Sequence, residues 1–271
     1  MIYKAYPILA ILLSMAILFS SMLTVSAEND SWDCPGCGRI GNKGNFCGSC
    51  GQPRPQPTST PPSGFQFQHI QTGAYITFGS YPQTAEGNDN TPIEWLVLDV
   101  QGKKALLISR YALDCQKYNR EYTDITWEKC TLRTWLKETF MKKAFSKTQQ
   151  KAILTTKVDN SKSQNVYGNG VNTQDKIFLL SYTEALKYFA DDNARRCAAT
   201  EYAKKRGGVT SSYYFVAGKA TCAYWLRSPG NSIRDCYTRV GNGGSTYTCP
   251  VNSDSGCIRP AIWVDLNQMD K

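Results

Sequence analysis

Two Cys-x-x-Cys turns near the N-terminus, Cys34-Pro-Gly-Cys37 and Cys47-Gly-Ser-Cys50, decide how this chain has to be divided. Each turn presents two sulfurs on one side, and a Gly follows each second Cys, which lets the backbone aim its amides at sulfur. The nine residues between the turns suit a short hairpin with residues 41–44 at its tip. A segment this small cannot bury a useful core, so it folds only around a metal or cross-links. Four thiolates satisfy tetrahedral zinc, which makes Cys34, Cys37, Cys47 and Cys50 the expected ligands of a structural zinc ribbon over residues 34–51. Two disulfides are the other solution. A site filled by four Cys leaves no open position for catalysis.

A proline-rich stretch separates the ribbon from the rest of the chain. Residues 51–64 contain five prolines among Ser, Thr, Gln and Gly. Such a composition packs no core and favours polyproline II. We read residues 52–64 as a linker able to reach about 40 Å at ~3.1 Å per residue, leading into one large domain over residues 65–271.

The segment before the ribbon sets its compartment. Residues 5–27 carry no charge and are rich in Ile, Leu, Met and Ala; Lys4 precedes them and Val25-Ser26-Ala27 offers small residues for a peptidase. Residues 1–27 are therefore read as a signal peptide, or as a membrane anchor if it is not cleaved. Both put the remainder outside the cytoplasm, secreted or at the cell surface, with Lys4 inside and Glu28, Asp30 and Asp33 beyond. The formal charge is +9, and +8 without Lys4. Export argues against nucleic acid as a partner and leaves an anionic wall or membrane surface. Outside the cytosol the many cysteines, 11 in all, are able to pair.

The large domain reads as α+β, with helices early and irregular β structure late. Residues 74–78 form a strand ended by Gly79, and residues 93–100 and 104–109 form a hairpin turning at Gln101-Gly102-Lys103. Leu132, Trp135, Leu136, Phe140 and Ala144 mark one face of a helix over 130–145. Ser146…Gln149 and Ser181…Glu184 are capping boxes opening two further helices. Residues 201–206 are helical up to Gly207-Gly208. Residues 176–180, 224–227 and 258–266 read as strands, with Trp225, Leu226 and Trp263 in the core and Arg227 bridging loops through its planar donors.

Several motifs resemble an uncharacterised bacterial domain family: Phe78-Gly-Ser-Tyr-Pro-Gln83, Ile93-Glu-Trp95, Leu132-Arg-x-Trp-Leu136, Trp225-Leu-Arg-Ser-Pro-Gly230 and Arg259-Pro-Ala261. The family is a domain of unknown function. The resemblance implies a C-type-lectin-like fold, akin to the formylglycine-generating enzymes and to retroelement-diversified binders, and implies no particular activity. In that fold the late region carries the ligand face. Residues 228–257 are rich in Tyr, Ser, Gly and Asn, as adaptable binding surfaces are. The candidate ligand contacts are Asn231, Arg234, Tyr237, Arg239, Asn242 and Tyr247.

Other chemistries find little support. The sugar-binding Glu-Pro-Asn and Trp-Asn-Asp runs of calcium lectins do not occur, and Glu86–Asn90 lacks the spacing of a calcium hand. His69 is the one histidine, and no zinc-protease, phosphate-loop or dinucleotide motif is present. Asp191-Asp192 reads as a solvated pair. The large domain holds Cys115, Cys130, Cys197, Cys222, Cys236, Cys249 and Cys257, whose connectivity sequence does not fix. Disulfides pinning the late loops are one expectation. A copper pair such as the formylglycine-generating relatives use is the other, with Cys249 and Cys257 nearest in sequence but at a spacing that does not match. The expected function is an exported ligand-binding module for a glycan or protein, without an evident catalytic site. A thiol- or copper-dependent oxidoreductase and a structural envelope protein are the alternatives.

Overall fold

A computed structural model of the chain describes residues 31–32, 34, 42–43, 47, 49–53, 70–160, 170–230 and 236–269. Near the N-terminus, β1 (Ser31–Trp32) pairs antiparallel with β2 (Asn42–Lys43). The large domain opens with β3 (Tyr75–Tyr81), β4 (Thr91–Gln101), β5 (Lys104–Ser109) and β6 (Asp114–Cys115). A helical stretch comes next as α1 (Thr131–Trp135), a π-helical segment (Leu136–Phe140) and α2 (Met141–Ala144), then α3 (Lys147–Ala152). After β7 (Thr156–Val158), β8 (Thr173–Asp175) and β9 (Ile177–Phe178) come α4 (Tyr182–Tyr188), α5 (Asp192–Arg195) and α6 (Glu201–Lys205). The rest is strand: β10 (Thr210–Val216), β11 (Lys219–Cys222), β12 (Tyr224–Pro229), β13 (Cys236–Val240), β14 (Thr246–Pro250), β15 (Cys257–Ile258) and β16 (Ala261–Asp265).

Two five-stranded sheets organise the domain, in the orders β3-β4-β5-β16-β9 and β14-β13-β12-β15-β6. The chain passes directly from one to the other at β5–β6 and again at β15–β16, so the sheets share a seam. At the second crossing Arg259-Pro260 turns the corner, and Ser109 N donates to Pro260 O at 3.0 Å. The architecture is mixed α+β and mostly sheet, with few helices.

The expected 93–100/104–109 hairpin is formed by β4 and β5. Both capping boxes are present: the Ser146 and Ser181 hydroxyls accept from the Gln149 and Glu184 amides, and each partner side chain returns the bond. Three expectations need correction. Gly79 does not end its strand. It takes φ +68° inside β3, where the register shifts and the Phe145 ring lies 2.5 Å from where a Cβ would stand. The 130–145 helix is not regular. Its π segment spends an extra residue in the turn, and Phe140 and Met141 are both buried with Leu136 and Ala144. The stretch 258–266 is two strands, not one.

Arg227 holds the middle of the domain. It is 2% exposed, and its guanidinium is bidentate on Glu184, the residue that also caps α4. It further donates to Leu179 O at 2.7 Å, Asp159 O at 2.9 Å and Asn160 Oδ1 at 3.0 Å. Glu184 is 31% exposed, so the larger cost of losing Arg227 is the stranding of the Leu179 and Asp159 carbonyls, roughly 1–3 kcal/mol each. Arg227→Met is therefore expected to lower the unfolding free energy by about 3 kcal/mol, measured by urea denaturation; a loss too small to resolve would refute this role.

Candidate functional sites

Three cysteines of the N-terminal segment come together among the described residues. Cys34, Cys47 and Cys50 have sulfurs all within 4.8 Å of one another, and Cys34 and Cys47 are buried. Cys34 Sγ lies 3.5 Å from Cys50 Sγ, close to the roughly 3.8 Å edge of a tetrahedron with ~2.3 Å zinc–sulfur bonds. Ser49 N donates to Cys47 Sγ at 3.4 Å, the amide-to-sulfur bond expected of a Cys-x-x-Cys turn. These three residues are close enough to hold a metal ion. Cys37, the fourth expected ligand, lies outside the described residues, as do the 1–27 leader, His69, Asn231 and Arg234.

In the large domain, a cleft of about 490 Å³ opens beside the seam of the two sheets. Its walls come from four places in the chain: Cys115, Gln116, Lys117 and Arg120 after β6; Thr131, Leu132 and Trp135 of α1; Arg206 and Gly207 after α6; and Asp254 before β15. Three of these side chains are cationic, and Asp254 is the one acid on the walls, paired to Lys117 at 3.2 Å. Trp135 is half-buried, its ring 5.7 Å from that of Phe140.

Behind the cleft Asp114 is buried, 2% exposed. Tyr81 Oη donates to its Oδ2 at 2.6 Å and Cys115 N to its Oδ1 at 2.7 Å, and Arg206 Nε stands 3.6 Å away. Burial pushes its carboxyl above the usual range, and the bonds from Tyr81 and Cys115 reverse this only in part.

Inside the same seam four cysteines form a row. Cys115, Cys257, Cys222 and Cys197 are buried thiols. Cys257 stands opposite Cys115 in the β6–β15 pair and donates its amide to Ala223 O, next to Cys222, whose own amide donates to Cys197 O. Those two neighbours, Cys115 foremost, hold the Cys257 thiol well below its ordinary range against the effect of burial, and Arg239 adds to them. Cys222 is pushed up by Cys197 and Cys257 and then by burial. Burial acts upward on Cys197 too, but Cys222 and Arg259 bring it below its ordinary value. Cys130 has a different role: at the N-cap of α1 its sulfur accepts from Arg133 N, and burial pushes the thiol up to about 12.

The proposed ligand face is only partly on the surface. Residues 236–240 and 246–250, expected as loop, form the β13–β14 hairpin, with Tyr237 opposite Cys249 and Arg239 opposite Tyr247. Tyr247 is 42% exposed and Asn242 half-buried. Arg239, expected as a charged anchor, is instead 1% exposed, with its guanidinium 3.6 Å over the Trp225 ring. Sequence reasoning missed Tyr213, Tyr214 and Phe215, exposed together on β10; the run Tyr-Tyr-Phe beside Ser-Ser was the available signal. The Glu86–Asn90 segment, which lacks the spacing of a calcium hand, is a clamped turn: Asp89 accepts from Gln83 N, Thr84 N, Thr84 Oγ1 and Thr91 Oγ1. Asp191 caps α5 and Asp192 pairs with Arg195.

Fold and site together define a thiol-rich α+β domain following a cysteine cluster able to hold a metal ion. A family model described as Domain of unknown function (DUF6273) matches residues 102–266, more than half of the 271 residues, and the chain belongs to that family. No curated protein and no solved structure matches it. The motifs at 78–83 and 93–95 lie before the matched segment, although β3 and β4 complete the same sheet as β5 and β16.

The raised Asp114 carboxyl carries a sign. A carboxyl whose folded pKa exceeds its unfolded value binds its proton more tightly when folded. Its contribution is present below the unfolded value and lost as pH rises through the folded one. Titrating urea stability upward from about pH 4, the chain should lose stability relative to its Asp114→Asn variant; a difference flat in pH would contradict the buried carboxyl's titration.

Proposed function

We propose that this protein is an exported ligand-binding module whose large domain takes an acidic glycan in the cleft beside Trp135. The observation that carries this reading is the composition of the cleft wall: Lys117, Arg120 and Arg206 around a half-buried indole, with Asp254 the one acid. A carboxylated sugar offers what those groups take, a ring face to stack on the indole and a planar anion for guanidinium. The leader read in residues 1–27 supports export, and the motif resemblance supports a C-type-lectin-like fold for the domain. Among the described residues no helix is long and apolar enough to cross a membrane.

The probe is oligogalacturonate, with a neutral oligosaccharide of equal length beside it. We expect the full chain to bind the acidic one in calorimetry, more weakly as salt rises. Arg120→Ala with Arg206→Ala should cost at least about tenfold, near 1.4 kcal/mol. Equal binding of the neutral sugar, or an unaffected double variant, would place the ligand elsewhere. A second reading rests on the exposed Tyr213, Tyr214, Phe215 and Tyr247, a protein-facing aromatic surface.

In this reading the ribbon is a structural zinc site of Cys34, Cys37, Cys47 and Cys50. Native mass spectrometry should then find one zinc per chain, lost on Cys47→Ser and on chelation. Two intact disulfides among these four residues and no metal would replace zinc with the cross-linked alternative.

A further inference from the structure

The row of buried thiols has a geometry of its own. Cys115 and Cys257 are directly opposite one another in the antiparallel β6–β15 pair. Gln116 N donates to Gly256 O at 3.0 Å, which makes their position the non-hydrogen-bonded one. There Cα atoms approach to about 4.5 Å and side chains stand closest. Cys197 and Cys222 are opposite in a second antiparallel contact: Cys222 N donates to Cys197 O at 2.8 Å, beside the Ala198–Thr221 bridge. Opposite residues at that kind of position sit about 5.5 Å apart. Both separations fall inside the roughly 4.4–6.8 Å window of a disulfide. The third contact, Cys222 with Cys257, joins neighbours in a parallel arrangement, with Cys257 N on Ala223 O at 3.0 Å.

We propose that the exported chain carries two disulfides, Cys115–Cys257 and Cys197–Cys222, in the seam between its sheets. This pairing uses all four sulfurs. A Cys222–Cys257 bond would leave Cys115 and Cys197 as two separated thiols. Each bond forms between two sulfurs that lose two protons and two electrons. The electrons pass by thiol–disulfide exchange to a dithiol oxidase or small disulfide, which is reduced to two thiols. Oxidation precedes burial, because the finished fold covers the row. A Cβ on Gly208 would stand 2.8 Å from Cys257 Sγ, so the turn after α6 lies directly on the sulfur.

The test is a peptide map without reduction. The full chain, produced with its leader in a secreting host, is trapped with an alkylating agent at lysis and digested. We expect linked peptides joining Cys115 to Cys257 and Cys197 to Cys222. The Cys257→Ser variant should keep the second link and release Cys115 to the alkylating agent. Four alkylated thiols in exported chain, a Cys222–Cys257 link, transfer of Cys115 to Cys222 in the variant, or a metal that must be chelated before the four react would each overturn the pairing. Chain that stays in the cytoplasm is unfolded and refolded in a glutathione disulfide buffer and mapped in the same way. The same two links support the proposal there, and alkylation of all four refutes it, so the pairing is judged separately from export.

Discussion

The buried guanidinium is the interaction on which the domain depends. Its second half is short strands joined by irregular connections, which leave many carbonyls without a ladder partner, and a buried carbonyl left unpaired is costly. Arginine answers with several donors in a fixed plane and a face that stacks on aromatic rings. Arg227 gathers Leu179 O, Asp159 O and the Glu184 carboxylate. Arg259, fully enclosed, donates to Ser109 O at 3.0 Å and lies about equally far from the Phe189 and Tyr224 rings, at 5.1 and 5.3 Å. Arg195 reaches Gly244 O at 3.1 Å and Phe189 O at 3.4 Å, tying α5 to the β13–β14 turn. Each joins segments far apart in sequence, so the loops are cross-braced without regular secondary structure.

This explains what sequence could and could not reveal. Local signals were legible because their physics is local: Ser146 and Ser181 cap their helices through a partner three residues on, and Gly102 takes φ +59° at the β4–β5 turn. The cluster of Cys34, Cys47 and Cys50 was legible for the same reason, since a Cys-x-x-Cys turn fixes its own geometry. Arg227 was recognisable as a bridge but its partners were not, because Glu184 and Asp159 are 43 and 68 residues away. Arg239 failed as a surface residue because polar neighbours in sequence say nothing of the Trp225 face that covers it. The thiol pairs were hidden in the same way. The shortest sequence spacing, Cys249 to Cys257, joins residues on different strands, while Cys257 meets Cys115 across the whole domain.

The cleft was invisible for a related reason. Its cations stand on two stretches far apart in sequence: Lys117 and Arg120 after β6, and Arg206 at the end of the basic run Lys204-Lys205-Arg206. They meet because β6 pairs with β15 and α6 packs behind β6, so the topology, rather than either stretch alone, concentrates the charge. Asp114, buried beneath Arg206, steadies one of those cations from within and takes a tyrosine hydroxyl to do so.

One strand pair therefore serves both the core and the surface. Cys115 lines the cleft and also opens the thiol row, and in its thiol form the sulfur donates to Asp254 O at 3.0 Å while Lys117, two residues on, pairs with the Asp254 side chain. The loop ending in Asp254 is thus fastened to β6 at its backbone and at its carboxylate. β6 and β15 are two residues each, too short to hold the seam by ladder bonds alone. A covalent bond at Cys115–Cys257 would fix the separation of the Cys115–Arg120 and Asp254 walls where backbone pairing is weakest. A binding cleft is more selective when its walls are set before the ligand arrives, because less freedom is lost on binding. The position of the sulfurs follows from that requirement: they lie where the two sheets meet and where the cleft would otherwise be free to open.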